Sequence, residues 1–203
     1  DSRATWIREQ LKSGKLKNKP IIYYKELGEP SHATALDYLI NDYDWNQSII
    51  NSKHTIDFKE EQSVGYRERT IKNASADATI AFAIDFNTAG EKLTKSSVNN
   101  QKKKYIPIDL NDSDTIDVDK IVKDLNDANA TSINIAGNGI YTFKNTDWTQ
   151  EQLDSYVYEM LKDIVNHENL KTPITSIRSG GQTGVDEAGA KDGGDLVFAH
   201  KFK

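Results

Sequence analysis

The 203-residue chain has an ordinary globular composition, with 36% hydrophobic and 28% charged residues. The formal net charge of −5 argues against non-specific nucleic-acid binding, which needs a basic surface. No apolar run approaches the roughly 18 to 20 residues that cross a bilayer. The lack of cysteine excludes disulfides and thiolate chemistry and suits a reducing cytoplasm. The chain begins at Asp1 without an apolar signal segment, so we expect a fragment or a processed product.

The first sixty residues have a weak and partly polar pattern. Their hydrophobic spacing predicts helices over residues 2–11 and 32–43, a strand over 21–24 and a short strand over 54–58. We expect residues 1–60 to form an extension packed on the core. Residues 61–203 should then form the main domain, with both parts in one compact unit.

From residue 63 onward, helical and strand patterns alternate along the chain. Helices are predicted over residues 63–73, 89–99, 117–127, 149–165 and 185–191, and strands over 78–86, 105–110, 132–136, 174–178 and 196–199. This order predicts a Rossmann-like three-layer α/β fold, with a mostly parallel sheet and helices on both faces. Ligands bind such sheets beyond the carboxyl ends of the strands, so the site should lie in the loops there.

The most informative loop is a glycine-rich turn between a strand and a helix, Ser179-Gly180-Gly181-Gln182-Thr183-Gly184. Glycine lets the backbone approach a ligand, and the amides at a helix start attract an anion. The turn therefore predicts a phosphate or ribose site, although it matches neither standard phosphate-loop pattern. A tight turn in which Thr183 only caps the helix is the alternative.

Two further strand ends and one helix supply candidate site residues. The strand over 78–86 leads into Thr88, Gly90 and Thr94, and the strand over 132–136 leads into Gly137 and Asn138. Small residues at several strand ends fit a ligand crevice along one edge of the sheet. The helix before residue 78 carries an arginine that could hold a phosphate or a carboxylate, or could lie on a solvated surface.

These blocks together resemble the SLOG superfamily, and within it the group labelled molybdenum carrier proteins. The quoted blocks are Ser179 to Asp186, Tyr66-x-x-Arg69-Thr70-x-x-Asn73, Ser75 to Ile80, Ala89-Gly90-x-x-Leu93-Thr94, Tyr105-Ile106-Pro107 and Ile133 to Gly137. The glycine-rich block comes last here and first in the family, so the chain looks circularly permuted. Reconnected termini are tolerated because they lie at the surface of such domains.

The resemblance implies recognition of a nucleotide or nucleotide-derived molecule, as a sensor or a sequestering protein in bacterial or phage conflict. It makes Arg69, Thr70 and Asn73 site residues, with Arg69 and Thr183 contacting phosphate. Asp186 or Asp77 would accept hydrogen bonds from ribose hydroxyls. We expect no cofactor and no metal, because the four histidines lack ligand spacing. A homo-oligomer is an open alternative to a monomer.

Two other functions stay open. Relatives that resemble phosphoribohydrolases cleave a base from its ribose phosphate, and here Glu187 or Asp186 would act as the acid or base. The match to their motif is incomplete. The other alternative is a structural or interaction domain of a larger protein, with a vestigial pocket.

Overall fold

The computed structural model describes residues 21–26, 56–61, 67–180 and 182–190. The helices predicted over residues 2–11 and 32–43 and the strand predicted over 196–199 lie outside these ranges, as do Tyr66 and Gly181. None of the helices in the described part combines the length and the apolar character that a membrane-spanning segment requires.

Within the described residues, six parallel strands form one sheet. They are β1 (Ile21–Glu26), β2 (Ile56–Glu61), β3 (Ala78–Ala83), β4 (Lys104–Asp109), β5 (Ser132–Gly137) and β6 (Ser176–Ser179). Their spatial order is β2-β1-β6-β5-β3-β4, and every neighbouring pair is parallel. The predicted Rossmann-like fold is confirmed. Because β1 pairs with β6, the first sixty residues contribute two strands to the same sheet; the proposed domain boundary stays a prediction.

The helices predicted from residues 89, 117, 149 and 185 begin within one residue of those positions, whereas the helix predicted from residue 63 is described from Arg67. They are α1 (Arg67–Asn73), α2 (Ala89–Asn100), α3 (Val118–Asp127) and α4 (Gln150–Val165), and residues 185–190 are also helical. The side chains of Thr88, Asp117 and Thr149 cap α2, α3 and α4 by accepting hydrogen bonds from backbone amides of the first turn.

Two of the described strands differ from their predicted bounds by three residues at one end. The strand predicted over residues 78–86 ends at Ala83, because the side-chain oxygen of Asn138 accepts hydrogen bonds from the amides of Ile84 and Asp85, both at 3.0 Å. Those amides therefore leave the sheet ladder. The strand predicted over 54–58 runs instead over Ile56–Glu61, in register with β1.

Strand β5 shows how the layers are arranged. Ile133 and Ile135 are fully buried in a core that also contains residues of α3 and α4. Asn134 and Ala136 point to the opposite face, since side chains alternate along a strand. On that face they line a pocket together with residues of α1 and α2. Helices therefore cover both faces of the sheet.

The connections leave β3 and β5 in different directions. From β3 the chain enters α2 and then β4 on one side, whereas β5 lies on the other side of β3 and leads towards α4. The loops that leave such neighbouring strands diverge and open a crevice at their carboxyl ends. The fold therefore places the crevice between the loops after β3 and β5.

Candidate ligand pocket

A cavity of about 320 Å³ occupies that crevice. Its walls come from α1, the start of α2, the end of β5 with the following loop, and the turn after β6. The lining residues are Arg69, Thr70, Asn73, Thr88, Gly90, Glu91, Thr94, Asn134, Ala136, Gly137, Asn138, Gly139, Tyr141, Thr142, Gly180, Gln182 and Asp186. Segments far apart in the sequence thus meet around one volume.

Arg69 connects α1 to the glycine-rich turn. Its side chain is only 5% exposed, and its Nη1 atom donates a hydrogen bond to the carbonyl oxygen of Gly180 at 3.3 Å. A Cβ atom on Gly180 would lie 2.2 Å from a carboxylate oxygen of Asp186, so glycine is needed here to make room for that carboxyl group. The result is a compact cluster of a guanidinium, a backbone carbonyl and a carboxyl group.

Glu91 is a second buried acid in the pocket. It lies in the first turn of α2 and is 3% exposed. Burial and the neighbouring charge of Asp186 raise the pKa of Glu91 to about 7, although a hydrogen bond of 3.5 Å from the Tyr105 hydroxyl opposes the shift. Glu91 therefore changes its charge near neutral pH.

Asp186 has a raised pKa for a similar reason. Desolvation raises it to about 6, although the Arg69 charge and a hydrogen bond from the Gln182 backbone partly oppose the shift. Two carboxyl groups that interact and titrate close to neutrality therefore share the pocket with one arginine. Such groups can hold or release a proton at physiological pH.

Asn138 lines the pocket but has a structural role as well. Its oxygen accepts the two hydrogen bonds from the loop after β3, and its Nδ2 atom donates to the carbonyl oxygen of Asp85 at 3.0 Å. These bonds hold the ends of β3 and β5 together and fix the width of the crevice.

The far end of the glycine-rich turn is bound to the protein itself. The amide of Gly184 donates to Oε1 of Gln150 at 2.7 Å, and the amide of Val185 donates to the carbonyl oxygen of Asn138 at 3.2 Å. Gly184 has a φ of 106°, which favours glycine. Neither Gly184 nor Thr183 lines the cavity, so the predicted phosphate cradle is limited to Gly180 and Gln182 among the described turn residues.

Three other predicted site residues lie away from the cavity. Asp77 precedes β3, at the amino edge of the sheet, where it accepts hydrogen bonds from Thr131 and Ser132. Ser179 is fully buried and its hydroxyl donates to the backbone carbonyl of Asp186. Glu187 is 5% exposed and does not line the pocket. The structure brings the other predicted candidates together around the cavity. They are Arg69, Thr70, Asn73, Thr88, Gly90, Thr94, Gly137, Asn138, Gly180, Gln182 and Asp186.

Two pocket asparagines have buried oxygens without a hydrogen-bond partner. They are Oδ1 of Asn73 and Oδ1 of Asn134, and the residues are 4% and 2% exposed. Asn134 does donate through Nδ2 to the Thr79 hydroxyl at 3.3 Å. Buried polar atoms are nearly always paired, so these two oxygens need an explanation.

Sequence reasoning overlooked several of the lining residues. Asn134 had a usable signal, because a polar residue between Ile133 and Ile135 in a buried strand is unusual. Glu91 had a weaker signal in its position one turn into α2. Tyr141 had none, yet its ring is 80% exposed beside the cavity.

Among the described residues, no three His, Asp or Glu side chains group closely enough to hold a metal ion. The described residues that line the cavity offer amides, hydroxyls, two carboxyl groups and one guanidinium group.

The model of the circularly permutated YpsA SLOG family matches residues 45–153, more than half of the chain. The chain belongs to this family. The match contains Arg69, Glu91 and Asn134 of the pocket and ends before the glycine-rich turn, and the permutation predicted from the order of the sequence blocks is confirmed. Membership in this SLOG family supports a nucleotide or small-molecule binding role.

One solved structure similar to this SLOG chain is that of a protein described as a putative molybdenum carrier from Syntrophus aciditrophicus. The two sequences are 18% identical, the similarity covers 73% of this chain and 98% of the other, and the TM-score is 0.43. No curated protein matches the chain.

Proposed function

We propose that the protein binds a nucleotide or nucleotide-derived small molecule in the pocket between α1, α2 and the ends of β5 and β6. The observation that carries the proposal is the convergence of Arg69, the start of α2 and the Gly180 turn on one cavity at the carboxyl edge of the sheet. This is where parallel α/β folds bind ligands.

The size and chemistry of the cavity support this choice. A volume of about 320 Å³ is at the lower end of the range for small-molecule sites. Hydroxyl, amide, carboxyl and guanidinium groups all face it, which suits a ligand with a sugar and a base. The exposed ring of Tyr141 offers a surface on which a base could stack.

The biological setting is a finer part of the proposal. The family resemblance supports a sensing or sequestering role in bacterial or phage conflict, in the cytoplasm. Mass spectrometry of small molecules released from heat-denatured protein tests sequestration, because a sequestered ligand should co-purify in near-stoichiometric amount.

A blocked pocket gives a sharp test of binding. A Cβ atom at Gly90 meets nothing within 4 Å, so Gly90→Leu should fill the cavity without disturbing the fold. Lys92→Leu is the matched control on α2, because Lys92 is exposed and does not line the cavity. Nucleotides, cyclic nucleotides and ADP-ribose would be screened by thermal shift.

We expect at least one of these ligands to raise the unfolding midpoint of the wild type and the control by several degrees, since a ligand at about 100 times its Kd stabilises by about 2.7 kcal/mol. Gly90→Leu should abolish the shift. An absence of any shift in the wild type would overturn the proposed function.

A second candidate function is hydrolysis of the N-glycosidic bond of the same ligand, favoured by the carboxyl pair Glu91 and Asp186. Protonated Glu91 would give its proton to the departing base while Asp186 takes a proton from water, whose oxygen bonds to the sugar carbon. This assignment replaces Glu187, which does not reach the cavity.

Chromatography for free base after incubation with nucleosides and nucleotides tests this reaction. We expect release that falls at least 100-fold in Glu91→Gln and persists in Glu151→Gln, an exposed glutamate on α4. Equal rates in wild type and Glu91→Gln would remove the hydrolase candidate and leave the binding proposal intact.

A further inference from the structure

The two asparagines that line the pocket with unpaired oxygens lie on different elements. Asn73 ends α1, and Asn134 lies in the middle of β5. Both are more than nine-tenths buried, and both border the same cavity. We call this pair the inner amides.

Their oxygens have no partner in the described protein, which costs free energy in the free state. The described residues contain one further buried polar side-chain atom of this kind, Nε of Arg178. Arg178 does not line the cavity, and its guanidinium bonds to Ser75 and to the carbonyl of Lys72. Two of the three unpaired atoms thus belong to residues that border the one cavity. This shared position points to a ligand that supplies their partners.

An amide oxygen only accepts hydrogen bonds, so the ligand must bring N–H or O–H groups to the inner amides. The charged side chains around the cavity are Arg69, Glu91 and Asp186. Arg69 already donates to Gly180 and lies beside Asp186. A phosphate dianion would face two carboxyl groups there, whereas a neutral donor group would not be repelled.

We propose that the inner amides bind a neutral part of the ligand that carries hydrogen-bond donors, a ribose diol or a nucleobase amino group, and that the ligand's phosphate is not needed for binding. The proposal rests on the proposed function and specifies which part of the nucleotide enters the pocket. The remainder of the ligand would then lie at the cavity mouth, beside the Tyr141 ring.

The experiment compares adenosine with AMP by titration calorimetry, using wild type, Asn73→Ala, Asn134→Ala and Asn126→Ala. Asn126 is the control, because its side chain bonds to Asn169 and Lys171 away from the cavity. We expect adenosine to bind wild type within about 10-fold of AMP, and each inner-amide variant to lose about 10-fold for both ligands. Asn126→Ala should keep the wild-type affinity. If one inner-amide variant fails to fold, the other variant still tests the proposal.

Two analogues identify the donor. Purine riboside lacks the amino group of adenosine, and 2′,3′-dideoxyadenosine lacks the diol. The analogue that lacks the donor bound by the inner amides should bind the wild type about 10-fold more weakly than adenosine does. Its affinity should fall little further in the inner-amide variants, because the hydrogen bond that they remove is already missing.

The outcomes separate the two proposals. Binding of AMP without measurable binding of adenosine, or unchanged affinity in both inner-amide variants, would overturn this inference and leave nucleotide binding in place. Binding of neither adenosine nor AMP, together with no shift by any other nucleotide of the panel, would mean that the proposed function itself fails.

Discussion

The acids at the two edges of the sheet have opposite hydrogen-bond environments. At the amino edge, Asp77 accepts hydrogen bonds from the amides and hydroxyls of Thr131 and Ser132 and from Lys103, at distances of 2.8 to 3.2 Å. At the carboxyl edge, the hydrogen bond described for the Glu91 carboxylate is a single long one, from Tyr105 at 3.5 Å.

The pKa values follow from this difference. Burial by itself would raise the pKa of Asp77, but its hydrogen bonds from Ser132, Thr131 and Lys103 hold it well below the usual range. The pKa values of Glu91 and Asp186 are raised, because burial is not balanced by comparable partners. Asp77 thus joins two strands through several hydrogen bonds, whereas Glu91 and Asp186 have fewer partners and border the cavity.

The largest effect on stability is expected at the amino edge. Asp77→Ala removes a charge that joins the starts of β3 and β5, and it should lower the free energy of unfolding by about 3 kcal/mol in urea denaturation at neutral pH. Because the pKa of Asp77 is lowered by folding, its contribution is fully present above the unfolded-state pKa and is lost as the pH falls through the lower folded-state pKa.

The control for this variant is Asp127→Ala, which removes an exposed ion pair with Lys123. It should change stability by less than about 0.5 kcal/mol. Similar losses of stability in both variants would show that the hydrogen bonds of Asp77 contribute no more than an exposed ion pair does.

A smaller effect of opposite sign is expected at the carboxyl edge. The neutral form of Glu91 is favoured in the folded protein, so its contribution is fully present below about pH 4.5 and is lost as the pH rises through about 7. Glu91→Gln should therefore raise the free energy of unfolding by about 2 kcal/mol at about pH 8 and change it little at about pH 4.5.

Denaturation at the two pH values measures this difference, with Glu151→Gln as the exposed control. A Glu91→Gln variant that is less stable than wild type at high pH would contradict the assignment of Glu91 as an unsatisfied acid.

The smallest effect on stability is expected at Tyr141. Because its side chain is 80% exposed, Tyr141→Ala should change the free energy of unfolding by less than about 0.5 kcal/mol. If a base stacks on the ring, ligand affinity should fall about 5-fold, as measured by calorimetry. Lys144→Ala replaces an exposed residue shortly after Tyr141, and it should change neither the free energy of unfolding nor the ligand affinity.

The sequence by itself determined the order of the described elements after residue 66 and the starts of the helices after residue 88. The 3.6-residue spacing within helices and the polar residues at their starts are local signals, so they are readable without knowledge of tertiary neighbours. The same local order, from strand to loop to helix, also identified the loops after β3, β5 and β6 as candidates for the pocket, whereas Arg69 became a candidate through the family resemblance.

Only the tertiary structure decided which candidates share the cavity. Asp77 was expected to contact ribose, but a residue that precedes a parallel strand lies at the edge opposite the ligand crevice. Gly184 was expected to hold phosphate, but its amide bonds to Gln150, which is 34 positions away in the chain. The contact between Arg69 and Gly180 spans 111 positions. Local spacing predicts the order of strands and helices, whereas burial and hydrogen-bond satisfaction depend on partners that only folding brings together.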